Sequence, residues 1–304
     1  MELHQLEAFE AVALHGSFTR AAEALHLTQP AVTRQIAALE SELKTRLFDR
    51  LGRSVQRTAA GDALHTYAEQ IVRLAREARH AVTDVGAGGA GRLAVGASST
   101  LATYVLPTLL RQFRETNPRV EISVHTGVSA QVLQMVIANE ADLGLITGDA
   151  EDKVVATVEL AEYDTCVVVP PLHPLSGRKV IHASDLAGSP LILMGAGTNL
   201  RAYIDRVLGA AGVEEQVTME LDNVEAIKRM IEAGLGISML PEVSVLPEVA
   251  AGRLVALPLA DVPRANRRIR LVYRRDKYVS ASMKAFIHLL TASLADAQDH
   301  VNRS

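Results

Sequence analysis

The chain reads as an α+β multidomain protein: a small helical unit at the N-terminus, one long helix, and an α/β remainder organised as one bilobed or two small domains. Three observations predict this. Residues 17–39, SFTRAAEALHLTQPAVTRQIAAL, spell two short amphipathic helices joined by a few residues. From Thr58 to Val85 apolar side chains recur at alternating intervals of four and three, and the run ends at Gly86-Ala87-Gly88-Gly89-Ala90-Gly91. From Arg92 to Ser304 strand-like and helix-like stretches alternate, the signature of α/β layering.

The first helix carries Leu3, Leu6, Phe9 and Val12 at one-turn spacing. Gly16 suits the left-handed residue that closes it, and Ser17 offers a hydroxyl to cap the next. Ala21, Ala22 and Leu25 give the second helix a narrow stripe that permits a tight corner. Thr28 is expected to cap the third helix and Pro30 falls in its first turn, where a missing N–H costs little. Val32, Ile36, Leu39 and Leu43 continue along one side, leaving Gln29, Thr33 and Arg34 on the other. This is a DNA-reading helix-turn-helix pattern, in which the N-terminal residues of the second helix meet base edges. Gln can bond adenine and Arg guanine, each good pair discriminating by about 1–3 kcal/mol.

Residues 1–61 resemble the N-terminal domain of the LysR-type transcriptional regulators, on Leu6, Phe9, Ser17, Phe18, Ala21, Ala22, Leu25, the run Thr28 to Thr33, Ile36, Leu39, Glu40, Leu43, Leu47, Phe48, Arg50 and Thr58. The resemblance implies base and backbone contacts from Gln29, Thr33 and Arg34, with Pro30 beside them a further candidate DNA-binding residue, and a winged hairpin over Leu47 to Arg57. Many members carry Leu where this chain has Arg57. Between Thr28 and Thr58 six cationic residues, Arg34, Lys44, Arg46, Arg50, Arg53 and Arg57, face three acidic ones, Glu40, Glu42 and Asp49, a local charge of +3 within a chain of net −4. Arg50, Arg53 and Arg57 are therefore expected to position the wing on the phosphate backbone, with binding that weakens as salt rises.

The resulting organisation is a winged helix-turn-helix domain over 1–58, a linker helix over 59–85, a hinge over 86–91 and an effector domain over 92–304. Along the linker, Leu64, Ala68, Ile71, Ala75, Ala78, Val82 and Val85 form a coiled-coil seam expected to pair with the same helix of a second copy. A dyad pair of helix-turn-helix units would read an inverted repeat in promoter DNA. The homodimer is expected to assemble further into a tetramer, and RNA polymerase is a further partner left open.

The resemblance extends through RLAVGASSTLATYVLPTLLRQFRETNPRVEISV, NEADLGLI, HPL and IEAGLGISMLPE. It implies a bilobed, periplasmic-binding-protein-like effector domain, with lobe I at about 92–162 and 267–304 and lobe II at about 163–266, joined by two crossing strands near Glu162 and Asn266. In open parallel sheets ligands sit beyond the carboxyl ends of the strands, where helix N-termini present free N–H groups. Ser98, Ser99 and Thr100 follow the first strand, Val128 and Ser129 the second, Thr147 the third, and Thr198 and Asn199 take the equivalent place in lobe II. These are the candidate effector residues, and hydroxyls converging from two lobes suit a small anion. Asn223 is expected to cap the helix that begins at Val224. The effector is a small-molecule co-inducer of unidentified structure, with no cofactor or metal.

Other functions lack their motifs. There is no GxSxG, glycine-rich phosphate loop or HExxH, and Gly195-Ala196-Gly197 is too short for a dinucleotide site. The histidines show no ligand spacing. Cys166 is the one cysteine, which excludes an internal disulfide switch, and its apolar neighbours predict a buried strand position. The absence of a signal peptide and of an apolar run of about twenty residues points to the cytoplasm. A solute-binding or sensing protein without promoter specificity is the alternative reading.

Overall fold

A computed structural model describes residues 1–51, 54–86, 91–148, 152–214, 216–260, 262 and 267–301. By internal contacts the chain divides into two units, Met1–Gly86 and Ala87–Ser304.

In the first unit α1 (Leu3–His15), α2 (Phe18–Ala24) and α3 (Gln29–Leu43) precede the hairpin β1 (Phe48–Leu51) and β2 (Ser54–Arg57), and α4 (Ala59–Gly86) follows. Gly16 ends α1 at φ 58, a left-handed turn that a side chain would strain, and the Ser17 hydroxyl accepts the Arg20 N–H. Thr28 occupies the N-cap of α3 but its side chain makes no capping bond, contrary to expectation; the turn is held by Ala31 N–H and Val32 N–H donating to the Thr28 carbonyl. The three helices and the hairpin close over Leu6, Phe9, Val12, Val32, Ile36, Leu39 and Phe48, with the Phe9 and Phe48 rings 5.1 Å apart. Leu43, expected on that inner side, is 39% exposed because α3 is ending as it passes the core.

The expected seam on α4 is divided between two tasks. Ala68 and Val72 are buried in the unit's own core and Leu64 packs against it, because α4 lies along α1. Ile71, Ala78 and Val82 of the expected seam stay exposed, and with Tyr67 and Leu74 they form the open apolar stripe, at intervals of four, three, four and four. Residues 87–90 of the expected hinge lie outside the described residues, as do Gly52, Arg53 and Asn266.

The second unit contains β3 (Arg92–Ser98), α5 (Ser99–Tyr104), α6 (Leu106–Thr116), β4 (Glu121–Gly127), α7 (Ser129–Ile137), β5 (Leu143–Thr147), β6 (Val155–Tyr163), β7 (Thr165–Val169), β8 (Leu191–Met194), α8 (Asn199–Ala210), β9 (Val217–Leu221), α9 (Val224–Glu232), β10 (Ser238–Pro241), α10 (Leu246–Ala250), β11 (Val255–Leu257), β12 (Arg267–Arg274) and α11 (Ala281–Val301). Pro107 sits in the first turn of α6, where its missing N–H costs little, and α5 ends three residues before it.

One sheet runs β4-β3-β5-β12-β6, with β3 parallel to both β4 and β5, and β12 antiparallel to both β5 and β6. Its strands β3 and β5 are buried on both faces, as parallel strands covered by helices must be. Phe113 of α6 meets Phe286 of α11 edge-on over one face, and α7 covers the other through Val132 and Val136. Gly144 allows that approach: a Cβ there would meet Val132 Cγ1 and Val272 Cγ2 at 2.9 Å. The second lobe repeats the order. Parallel β9 and β8 connect through the bridge Leu191↔Ile237 to β10, which is antiparallel to β7, itself antiparallel to β11. Its core includes Val167, Ile192, Leu193, Ile204, Ile227 and Met239. The chain crosses between lobes at Asp164 and again before Arg267, so the strand ends of both lobes meet at one junction.

Candidate DNA face and effector cleft

Gln29, Pro30 and Arg34 are exposed on the first turns of α3, and Thr33 is half-buried beside them. Thr33 Oγ1 donates to the Gln29 carbonyl at 3.0 Å and accepts from Gln29 Nε2 at 3.1 Å, which fixes the amide orientation before any contact is made. Arg34 has no side-chain partner among the described residues, so its guanidinium is available. Arg57 differs: its Nε donates to Asp62 Oδ1 at 2.7 Å, so its charge is already compensated. Arg50 lies on β1, and Arg53 falls outside the described residues. Glu40 secures the hairpin, its Oε1 accepting Leu47 N–H at 2.7 Å and Phe48 N–H at 3.3 Å.

In the second unit the predicted cleft residues gather at the carboxyl ends of the strands, but several have their hydrogen-bonding capacity occupied. Ser129 Oγ accepts the Thr147 N–H at 3.2 Å, and Val128 N–H donates to Gln131 Oε1. Thr198 Oγ1 donates to the Gly195 carbonyl and accepts Arg201 N–H, a helix cap. Asn199 Nδ2 donates to the Thr147 carbonyl, tying lobe II to lobe I. Ser99 Oγ donates to the Gly127 carbonyl at 3.3 Å, and Thr100 is half-buried on the first turn of α5. Ser98 is 6% exposed and its hydroxyl has no hydrogen-bond partner among the described residues. Asn223 caps α9, its Oδ1 accepting Ala226 N–H at 2.7 Å.

The sequence reading missed Arg267. Arg267 is 6% exposed, yet no carboxylate among the described residues pairs with its guanidinium. Nε donates to Tyr163 Oη at 3.1 Å, Nη1 to the Asn199 carbonyl at 3.0 Å and Nη2 to Thr147 Oγ1 at 3.2 Å. The rings of Tyr163 and Tyr203 flank it at 5.7 and 5.8 Å. The other arginines of β12 are all balanced, Arg268 by Glu162, Arg270 by Glu159 and Arg274 by Asp276. An uncompensated buried cation is costly, and an incoming anion would lower that cost. A faint signal existed in the sequence: Arg267 shares the phase of Ile269 and Leu271, an arginine on the buried side of a strand.

Cys166 is buried on β7 with Sγ 3.5 Å from the Leu240 carbonyl, and burial pushes its thiol up to about 12. It lacks the thiolate character of a redox sensor. Among the described residues no group of His, Cys, Asp or Glu is arranged to hold a metal ion, and no helix is long and apolar enough to cross a membrane.

Residues 3–62 match the bacterial regulatory helix-turn-helix protein family of the lysR type, and residues 86–295 match the LysR substrate binding domain. The chain belongs to the LysR family of transcriptional regulators. A probable RuBisCO transcriptional regulator of Trichormus variabilis is 33% identical over 290 residues, covering 93% of this chain and 86% of that one. Full-length OxyR from Pseudomonas aeruginosa superposes with a TM-score of 0.73 at 26% identity, covering 97% of this chain and 94% of its own. Full-length CbnR complexed with its target DNA gives 0.66 at 26% identity, covering 96% of this chain and all of that one. This chain is therefore a DNA-binding transcriptional regulator with a LysR substrate-binding domain, in a family of regulators and not of enzymes. In it two of the strand-end residues expected to bind the effector, Thr147 and Asn199, accept hydrogen bonds from the buried Arg267.

Proposed function

We propose that this regulator reads an inverted repeat in promoter DNA as a homodimer and responds to a small organic anion held between its two effector lobes. Gln29, Pro30, Thr33 and Arg34 would face the bases, while Arg50, Arg53 and Arg57 would set the wing on the phosphates, Arg57 less strongly because Asp62 neutralises it. The exposed stripe Tyr67, Ile71, Leu74, Ala78 and Val82 would bury itself against the same stripe of a second α4, and two such dimers would form a tetramer. The effector would contact Ser98, Ser99, Thr100, Val128, Ser129, Thr147, Thr198 and Asn199. Of these, the Ser98 hydroxyl is unpaired, whereas Thr198 and Asn199 would contribute mainly by positioning.

The observation that carries the anionic reading is Arg267, a buried cation without a carboxylate at the junction of the lobes. An anion there would bond N–H groups of Arg267 that the protein leaves unused and favour one relative angle of the lobes. The angle would change the spacing of paired DNA-binding domains, bend the promoter and alter its presentation to RNA polymerase. Only a differential affinity for the two arrangements can drive such a shift.

The test is selection of genomic fragments by the purified chain, followed by footprinting with panels of small carboxylates, phosphate esters and neutral sugars. A dyad-symmetric footprint that changes with a member of the anionic panels is expected. Arg34→Ala should relax base preference at one position of each half-site, by roughly 1–3 kcal/mol. A footprint that answers only to neutral sugars would overturn the anionic reading, and retention of all fragments alike would overturn sequence-specific recognition.

A further inference from the structure

Outside the cleft, the second unit holds a buried charge cluster that the regulator reading does not use. Lys228 on α9 is 2% exposed. Its Nζ lies 2.7 Å from Glu225 Oε1, 3.1 Å from Glu248 Oε1 and 2.8 Å from the Ser244 carbonyl, so each ammonium proton has an acceptor. All of these groups belong to lobe II. Tyr104, the last residue of α5 in lobe I, reaches across to the same cluster. Its hydroxyl donates to Glu225 Oε1 at 2.6 Å, its ring lies 5.0 Å from Lys228 Nζ, and the ring packs against the lobe II core. The same short helix begins at Ser99 and Thr100 on the cleft, only about 7 Å away at the rise of an α-helix.

We propose that Tyr104 and the Lys228 cluster form a latch that holds the lobes in this arrangement, with α5 as the rigid link between cleft and latch. A buried ion pair contributes little more to stability than apolar residues of the same volume. What it adds is an alternative: if the lobes part, Glu225, already 46% exposed, and Lys228 can hydrate. An apolar contact in the same place would have no such second state. Closing removes water from Lys228 and gives Glu225 the phenol as a donor. Two arrangements close in free energy are what a ligand of modest differential affinity can switch. The inference does not depend on which ligand fills the cleft, nor on the DNA reading.

Hydrogen exchange measured by mass spectrometry on the full chain, without any ligand, tests it. Tyr104→Phe keeps the ring and deletes the hydroxyl. Exchange in residues 99–106 and 242–246 should speed up by roughly tenfold or more, the size of a charge-assisted hydrogen bond, while α11 stays as protected as in the parent. Glu225→Gln, which keeps the acceptor but removes the charge, should speed the same segments less. The double variant should fall short of the sum of the two single effects, because both substitutions act on the Tyr104–Glu225 bond while Glu225→Gln also weakens the pair with Lys228. Unchanged exchange in Tyr104→Phe would overturn the latch. So would an equal rise throughout residues 92–301, which marks a general loss of stability, or additive effects in the double variant.

Discussion

Replacing Arg267 by Met separates what this residue does for folding from what it does for binding. In the parent its guanidinium makes three hydrogen bonds to neutral acceptors, the Tyr163 hydroxyl, the Asn199 carbonyl and the Thr147 hydroxyl. Bonds of this charged kind contribute about 1.5–3 kcal/mol each. Against them stands the desolvation of a buried, unpaired cation, which costs several kcal/mol, so the two sums largely cancel. Arg267→Met also keeps a long apolar stem between Tyr163 and Tyr203. Its melting temperature without ligand should therefore lie within about 5 °C of the parent's. The binding term has no such offset. An anion at a hundred times its dissociation constant stabilises the folded state by about 2.7 kcal/mol, which for a domain of this size raises the melting temperature by about 5–10 °C. The assay is differential scanning calorimetry of parent, Arg267→Met and Arg267→Lys with a panel of carboxylates and phosphate esters, and chloride at matched ionic strength as control. The parent should gain the full rise, Arg267→Lys a fraction of it because an ammonium cannot replace the planar fork, and Arg267→Met none. An undiminished rise in Arg267→Met, or no rise in the parent with any anion, refutes the reasoning.

Three further outcomes are expected. Gly61→Ala places a Cβ at 2.2 Å from the Leu47 carbonyl oxygen, so the start of α4 must move off the hairpin; a loss of about 1–3 kcal/mol should appear as a lower melting temperature of the first unit, with weakened DNA retention. Leu74→Glu puts a charge in the middle of the exposed α4 stripe and should convert dimers to monomers in sedimentation velocity, while the first unit keeps its own core. Cys166, with a thiol raised from 9.0 to about 12, should resist alkylation in the native state at pH 8, where its thiolate fraction is about a thousandfold below that of an ordinary cysteine; reactivity should rise only as the pH climbs towards 12 or the chain unfolds. Rapid modification of the native chain at pH 8 would contradict that account.

The parts of this protein that obey short-range rules were legible without coordinates. Gly16 closes α1, Ser17 caps α2 and Pro30 opens α3 because those jobs depend on a residue's own backbone preference and on neighbours within one turn. The outward placement of Gln29 and Arg34 follows from helical periodicity alone, and so does the four-three apolar spacing of α4. The β3 and β5 strands announced themselves as continuous apolar runs because both their faces are covered. The strand Val155–Tyr163 went unread. It lies at a sheet edge with Glu159 and Glu162 outward, so its apolar signal is broken by charge.

Tertiary structure decided the rest, and the reason is the same each time. Which side of α4 remains open depended on α1 lying against Ala68 and Val72, a choice periodicity cannot make because both stripes have nearly the same spacing. Asn199 ties to lobe I only because the fold brings the Thr147 carbonyl to its side chain, a meeting of segments 52 residues apart. Arg267 is one of many arginines in the sequence. It becomes a candidate binding residue only because the fold collects Thr147, Tyr163, Asn199 and Tyr203 around it, with no paired carboxylate among the described residues, a property of distant segments meeting that no local pattern encodes.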